Sequence, residues 1–281
     1  MLRLALLCLL AANLQAENWP QWRGPKNDGH SSEKNLATEW GSDKNIKWKA
    51  PLPGMGSSTP CIWGDRIFLT AMSDDVMNLL CFDINGKELW RKPMGQGQFK
   101  SMKDEGSTLA SASCSTDGER VYAFSGSGKL AAYDFKSNEV WSLNTAEQQG
   151  KGLDKFTIQF GAHWTPVLHK GMLYVTLLDR KGQNLLAIDA KTGDIKWKVD
   201  RKSDSKPGVE SPDVYTSPFV WSNGDKELLI VHGNDYCTAH KLTDGSEVWR
   251  VGELNPKAKY LNTWRAVSCP LVTPDLIVVP S

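Results

Sequence analysis

Histidine, cysteine and paired carboxylates are the residues best able to do chemistry, and here their spacing does not gather them. The five histidines, His30, His163, His169, His232 and His240, are scattered without metal-ligand spacing. Cys61, Cys81, Cys114, Cys237 and Cys269 contain no CxxC and no adjacent pair, so neither a zinc site nor a disulfide framework is signalled. No GxGxxG, P-loop, HExxH, GxSxG or EF-hand pattern occurs. The sequence therefore assigns no catalytic residue, no metal ligand and no cofactor. It does offer unlike side chains just before a recurrent apolar run: Ser57 and Ser58, Ser111, His163 and Trp164, Tyr215, and Trp264 with Arg265. Glu105, Glu210 and Asp213 stand in the preceding loops. Arg265 supplies a forked donor for carboxylate or phosphate, His163 titrates near neutral pH, and Tyr215 and Trp164 give flat faces for a ring-shaped ligand. His163, Trp164, Tyr215, Arg265, Glu210 and Asp213 are thus the expected contacts of a polar ligand. The competing reading is that they solvate a channel and pack loop against loop. His169, His232 and His240 read as packing residues.

These groups are positioned by a repeat of about fifty residues. Four copies of one strand-turn-strand unit recur: CFDINGKELW (81–90), AYDFKSNEVW (132–141), AIDAKTGDIKW (187–197) and AHKLTDGSEVW (239–249). Their terminal tryptophans, Trp90, Trp141, Trp197 and Trp249, lie 51, 56 and 52 residues apart. A lead-in of small residues, mostly with proline, precedes an apolar run from Ser57, Ala110, His163 and Tyr215, and a fifth lead-in starts at Ala266. Each repeat holds about four short strands and no helical period. Such a sheet cannot hide both faces alone, so copies must stack face to face, which in a ring gives an all-β propeller of four-stranded blades. An open β-solenoid is the rival. Asn85-Gly86 predicts a tight type I′ hairpin. The recurrent indole is the expected wedge between blades, with its N–H reaching a carbonyl of the next blade. Asp83, Asp134 and Asp189 read as acceptors for turn N–H groups, a role that Lys241 cannot fill in the fourth copy.

Composition narrows the partners. The 281 residues carry 33 Lys+Arg against 32 Asp+Glu, which leaves no electrostatic footprint for nucleic acid or an anionic membrane. With 12 Trp, 24 Gly and 14 Pro, the chain is built of many turns around a recurring aromatic device. Met1 to Ala16 reads as a secretory signal peptide cleaved after Ala16, with Arg3 before an apolar run too short to span a bilayer. The expected organisation is a leader over 1–16, an extended segment over 17–45 and a propeller of about four and a half blades over 46–281. The terminal run Leu276-Ile277-Val278-Val279 is a strand without its hairpin partner, and the expectation is a C-terminally truncated ring.

The run AIDAKTGDIKW matches the AxDxxTGxxxW docking motif, and on it the chain resembles the pyrroloquinoline quinone (PQQ) repeat family of β-propellers. The other three copies fit more loosely: the Asp83 and Asn138 hairpins are one residue short, Asn138 replaces glycine and Lys241 replaces aspartate. The chain is also similar to exported members that begin with a WPQWRGP-type segment, here Trp19 to Pro25, followed by a Trp-bearing strand, here Ile46 to Leu52. The resemblance implies a ring of seven or eight blades in which the strand around Trp48 completes the last one. Trp22 and Arg23 either lie over the channel mouth or staple that last blade, and the staple is favoured. Trp48, Trp90, Trp141, Trp197 and Trp249 are then structural docking residues. The resemblance implies two kinds of work. Some members are quinoprotein dehydrogenases with PQQ and Ca²⁺ over the channel, many with adjacent cysteines beneath the quinone, a pair this sequence lacks. Others, of the outer-membrane assembly type, are cofactor-free platforms. The expectation is an exported, non-enzymatic binding or scaffolding protein whose partner is an envelope protein or a small polar ligand. The alternative is a PQQ/Ca²⁺-dependent dehydrogenase of alcohols or sugars with ligands in missing sequence, and a weaker third reading is a carbohydrate-handling accessory.

Overall fold

The lead-in, strand and turn pattern builds one sheet per repeat. A computed structural model describes residues 16–97, 108–149, 162–179, 182–202, 213–252, 254 and 266–280. The expected leader, apart from Ala16, lies outside them. Blade 1 comprises β1 (Cys61–Trp63), β2 (Arg66–Ser73), β3 (Val76–Asp83) and β4 (Glu88–Gln96). Blade 2 comprises β5 (Ser115–Thr116), β6 (Arg120–Phe124), β7 (Lys129–Asp134) and β8 (Glu139–Asn144), and a single 3₁₀ turn, Glu147–Gln149, follows it. Blade 3 comprises β9 (Val167–His169), β10 (Met172–Asp179), β11 (Gly182–Asp189) and β12 (Ile195–Asp200). Blade 4 comprises β13 (Phe219–Asn223), β14 (Lys226–Gly233), β15 (Tyr236–Lys241) and β16 (Glu247–Val251). A hairpin of β17 (Leu271–Val272) and β18 (Ile277–Val278) starts a fifth unit, so the strand expected at 276–279 to lack a hairpin partner pairs with β17. Every sheet is an antiparallel meander in chain order, so the described residues form an incomplete β-propeller.

The core is a series of slabs between sheets, as expected when no blade can bury both faces by itself. Phe68, Leu79 and Cys81 of blade 1 meet Val121, Ala123 and Tyr133 of blade 2. Tyr122, Leu130 and Ala132 of blade 2 meet Leu173, Val175 and Ile188 of blade 3. Tyr174 and Leu185 of blade 3 meet Leu229 and Val231 of blade 4. All five described cysteines are unpaired thiols, four of them buried. Burial pushes the thiols of Cys81 and Cys114 up to about 12, which keeps them protonated and inert.

At the outer radius each docking tryptophan reaches the next blade. The indole N–H groups of Trp90, Trp141 and Trp197 donate to the carbonyls of Phe135, Ala190 and Leu242 at 3.0, 2.9 and 2.9 Å. Trp48 does the same to Ile84 of blade 1 at 2.8 Å. Trp249 packs with Trp221, Val272 and Ile277 around Phe219 and Ala239. Glycine is needed beneath these rings: at Gly193 (φ 80°) a Cβ would sit 2.8 Å from the Trp141 ring, and at Gly86 (φ 84°) 2.6 Å from Trp48.

Two local expectations are corrected. Residues 46–52 form no strand, and Trp48 docks from extended chain by its indole alone. The Asn85-Gly86 hairpin is not type I′, because only Gly86 has positive φ. Gly86 N–H donates to Asp83 O at 3.0 Å, and Asp83 N–H to Lys87 O at 2.9 Å, which is a type I turn with a glycine bulge. The Asp83 carboxylate decides this by accepting the N–H groups of Asn85 and Lys87. In blade 2 the left-handed position is Ser137 (φ 76°), so Ser137, rather than Asn138, stands where Gly86 does.

Asp134 and Asp189 accept turn N–H groups in the same way. Hydrogen bonds hold the carboxyls of Asp83 and Asp134 below the usual range, and at Asp189 they outweigh a burial effect of opposite sign. On β8, Lys129, Ser142 and Tyr133 hold Glu139 down to about 2. A carboxyl whose folded pKa is depressed stabilises the fold above its unfolded pKa and loses that contribution as pH falls through the folded value. The denaturation midpoint should therefore drop between about pH 4.5 and 2, and Glu139→Gln should flatten part of that slope. A Glu139→Gln profile superimposable on wild type would remove Glu139 from this account. Trp197→Ala should cost about 3–5 kcal/mol in a denaturant series, and Trp197→Phe about 1 kcal/mol through loss of the bond to Leu242. His169→Ala, on a quarter-exposed residue paired with Glu227, should cost under about 1 kcal/mol. Equal midpoints for Trp197→Ala and wild type would sink the wedge assignment.

Candidate functional site

The lead-in segments are extended, so alternate side chains point in opposite directions. Counting from the last lead-in residue, Thr59, Ser113, Thr165, Ser217 and Cys269 are equivalent, and in four of the five a proline follows. Proline biases the residue before it toward extended backbone and brings no N–H of its own. The N–H of each of the first four is bonded across to the next blade or, for the last, to the fifth unit. Thr59 N–H donates to Ser113 Oγ (2.9 Å), Ser113 N–H to Thr165 Oγ1 (3.1 Å), Thr165 N–H to Ser217 Oγ (2.9 Å) and Ser217 N–H to Cys269 Sγ (3.3 Å). This ladder runs along the inner radius from blade 1 to the fifth unit. Main-chain bonds between lead-ins run beside it, from Ser57 N–H to Ala110 O (3.1 Å) and from Tyr215 N–H to Ala266 O (2.9 Å).

Two residues before each ladder position stand Ser57, Ser111, His163, Tyr215 and Val267, none of them fully buried, although Tyr215 packs against the core between blades 2 and 3. His163 and Tyr215 are half-buried and meet edge to face, with ring centroids 5.5 Å apart. One residue before the ladder position the side chain turns into the blade. Trp164 is there, 0% exposed, its indole N–H bonded to Val214 O at 2.5 Å. Trp164 therefore serves the interface between blades 2 and 3 and presents no face to a ligand. Asp213 is also 0% exposed, beneath the mouth. Of the six expected contacts, the structure brings His163 and Tyr215 together and withdraws Trp164 and Asp213 from solvent; Glu210 and Arg265 lie outside the described residues. Glu105 and Trp264 lie outside them too.

At the other end of the channel the N-terminal segment is a strap across the hub. Trp19 pairs by main chain with Ile62 of β1, through N–H···O bonds of 2.9 and 2.8 Å. Pro20 O accepts from Thr116 N–H of β5 (2.8 Å), and Gln21 Oε1 accepts from Leu168 N–H of β9 (3.1 Å). Trp22 packs on Phe219 of β13, and the Arg23 guanidinium lies over both rings while Nη1 donates to Pro270 O (3.3 Å). Consecutive residues thus meet consecutive blades, one each. Trp22 and Arg23, expected to staple a last blade or lie over the mouth, are the part of this strap that holds blade 4 and the fifth unit.

Sequence reading also missed Arg201, 1% exposed at the end of β12. Its Nε donates to Thr238 Oγ1, and its Nη2 to the carbonyls of Gly233 and Tyr236 in blade 4, at 2.8–2.9 Å. Burial, and then the charge of Arg250, bring its pKa down to about 10. His240, by contrast, is the packing residue expected, with both ring nitrogens engaged by Gly245 O and Thr238 Oγ1. Among the described residues no helix is long and apolar enough to cross a membrane.

The profile of the family described as "Outer membrane protein assembly factor BamB" matches residues 30–157, 80–252 and 153–280. The chain belongs to this family of PQQ-like repeats. A stretch of 84 residues, 29% of the chain, is 38% identical to the quinohemoprotein alcohol dehydrogenase ADH-IIG of Pseudomonas putida, 11% of which it covers. Among solved structures, the quinohemoprotein alcohol dehydrogenase of Comamonas testosteroni superposes with a TM-score of 0.60 at 16% identity, over 86% of this chain and 42% of that one. BamB of Moraxella catarrhalis gives 0.47 at 17% identity, over 73% and 51%. The chain thus spans about half or less of the length of these relatives, and at such identities the likeness is one of fold.

The ladder is testable. Ser217→Ala would leave the buried Thr165 N–H without its acceptor, and should lower stability by about 1–3 kcal/mol. Cys269→Ser retains an acceptor for Ser217 N–H and should leave the urea midpoint near wild type. If Ser217→Ala and Cys269→Ser behave alike, the ladder carries no stability.

Proposed function

We propose that this protein is a cofactor-free binding platform of the cell envelope, which engages an envelope protein through the lead-in end of its propeller. The observation that carries the reading is the strap, Trp19 to Arg23, which commits one end of the hub to the chain's own main chain. The opposite end, where the half-buried rings of His163 and Tyr215 meet, is not covered by the strap and is the end assigned here to a partner. The family match supports a protein partner, its description being that of an outer membrane protein assembly factor.

A second reading, a dehydrogenase of alcohols or sugars, is favoured by the 84-residue likeness to the Pseudomonas putida enzyme. PQQ and Ca²⁺ would be its groups, and the described mouth does not fit them. A quinone is held between flat faces, yet Trp164 is buried in the blade and the His163 and Tyr215 rings meet at 88°.

The test uses the full-length protein in two arms. Incubated with PQQ and Ca²⁺ and then dialysed, it should retain no quinone absorbance and reduce no dye with alcohols or aldoses. Replacing His163, Tyr215 and Arg265 together by alanine should lower capture of the envelope partner about tenfold or more, with an unchanged melting curve. Retained quinone with alcohol-dependent dye reduction would establish the dehydrogenase reading. Unchanged capture by the triple variant would move the contact surface to the outer rim of the blades.

A further inference from the structure

The residue that leads into the strap is held by a segment from further along the chain. Asn18 Oδ1 accepts from Gly64 N–H in the β1–β2 turn (2.7 Å), and Trp19 pairs with Ile62, so the backbone is fixed to blade 1 from Asn18 onward. Just before it, Glu17 meets residues 31–33. The Glu17 carboxylate accepts from Ser32 N–H (3.0 Å) and from Ser31 Oγ (3.2 Å), and Ser31 Oγ in turn accepts from Glu33 N–H (3.1 Å). Glu17 N–H completes the ring by donating to the Glu33 carboxylate. Hydrogen bonds from Ser32, then Ser31, hold the Glu17 carboxyl below its usual range. The bond that the sequence marks for leader cleavage, Ala16–Glu17, ends on this same nitrogen, which already faces an exposed carboxylate.

We propose that Ala16–Glu17 is the processing site of the exported chain and that Glu33 binds the α-ammonium created there. Water hydrolyses the bond: Ala16 leaves with the new carboxylate, and the Glu17 nitrogen, now an amine, is protonated at neutral pH. A single neutral donor thereby becomes three charged ones opposite an anionic acceptor, and a charge-assisted bond replaces an ordinary one. The charged groups about the nitrogen are the carboxylates of Glu17 itself and of Glu33, with the Lys26 ammonium acting on the same cluster. Processing therefore tightens the tie between the start of the strap and residues 31–33. The inference rests on the leader reading of residues 1–16 and is independent of the platform reading.

The test starts from the full chain, leader included, expressed in an exporting host. N-terminal sequencing and intact mass of the purified protein should give Glu17 as the first residue, and any other N-terminus would overturn the proposal. Competitive acetylation, read by mass spectrometry of the N-terminal peptide, then reports the reactivity of that amine. Near neutral pH and at low salt, Glu33→Gln should be acetylated about two- to fivefold faster than wild type, the range that an exposed ion pair allows. High salt should shrink the difference, and Glu33→Asp, which keeps the charge, should stay near wild type. In a chain made without the leader and beginning with a methionine before Glu17, the amine stands one residue further out, and Glu33→Gln should leave its rate unchanged. Equal rates for wild type and Glu33→Gln in the processed protein would overturn the assignment. An equally large effect in the methionine-bearing pair would overturn it too, by making Glu33 a general charge and not the partner of that nitrogen. Glu33 is exposed, so the melting curves of all these forms should differ little.

Discussion

The N–H ahead of each inner strand takes its acceptor from the next blade, and the hydroxyl or thiol there answers it. This constraint sets the step from one blade to the next at the inner radius. A second ring of bonds, indole N–H to turn carbonyl, sets it again at the outer radius. Two points of attachment at different radii leave neighbouring sheets little freedom to rotate, so the apolar slabs between them form in one register. The mouth inherits its geometry from this arrangement. Because Thr165 and Ser217 are fixed in the ladder, His163 and Tyr215, each two residues earlier, are brought edge to face, and Trp164 between them has only the blade interior to enter.

How much of this could be read from the residues depends on whether a feature repeats. The docking tryptophans are large, rare and evenly spaced, and every one whose bond is described behaves alike. Their spacing alone implies a propeller. The ladder was equally periodic, but Ser and Thr before Pro are common, and one member is a cysteine, so the pattern was hidden by its ordinariness. The pairing of His163 with Trp164 as joint ligand contacts failed for lack of a face assignment; alternation about the Thr165-Pro166 step would have separated them. The hairpin at Asn85-Gly86 was misjudged because a local dipeptide preference lost to the Asp83 carboxylate, which binds two turn N–H groups. Nothing in the sequence could have shown the strap, since its contacts do not recur: Trp19, Pro20, Gln21, Trp22 and Arg23 each use a different group on a different blade.

A fold shared by assembly factors and oxidoreductases does not choose between them. In this chain the choice turns on what occupies the hub. Where the channel end is spanned by the chain's own strap and the tryptophan of the mouth is spent on an interblade contact, the surfaces left are concave, mixed in polarity and built by several blades at once. Such surfaces suit recognition. The turn carboxylates, the buried thiols and the Arg201 guanidinium bound to main-chain carbonyls are spent on holding the blades.

An array in which each unit touches only its neighbours can fray from either end, one unit at a time. The strap changes that topology. Arg23 and Pro270 are 247 residues apart in sequence and hydrogen-bonded in space, and the four residues before Arg23 are tied to the units in between. Closing so long a loop is entropically costly, and the return comes only after all five units are in place. Residues 19–23, near the start of the chain, are therefore among the last to find their seats. Once seated, they couple the melting of distant units into a single cooperative event.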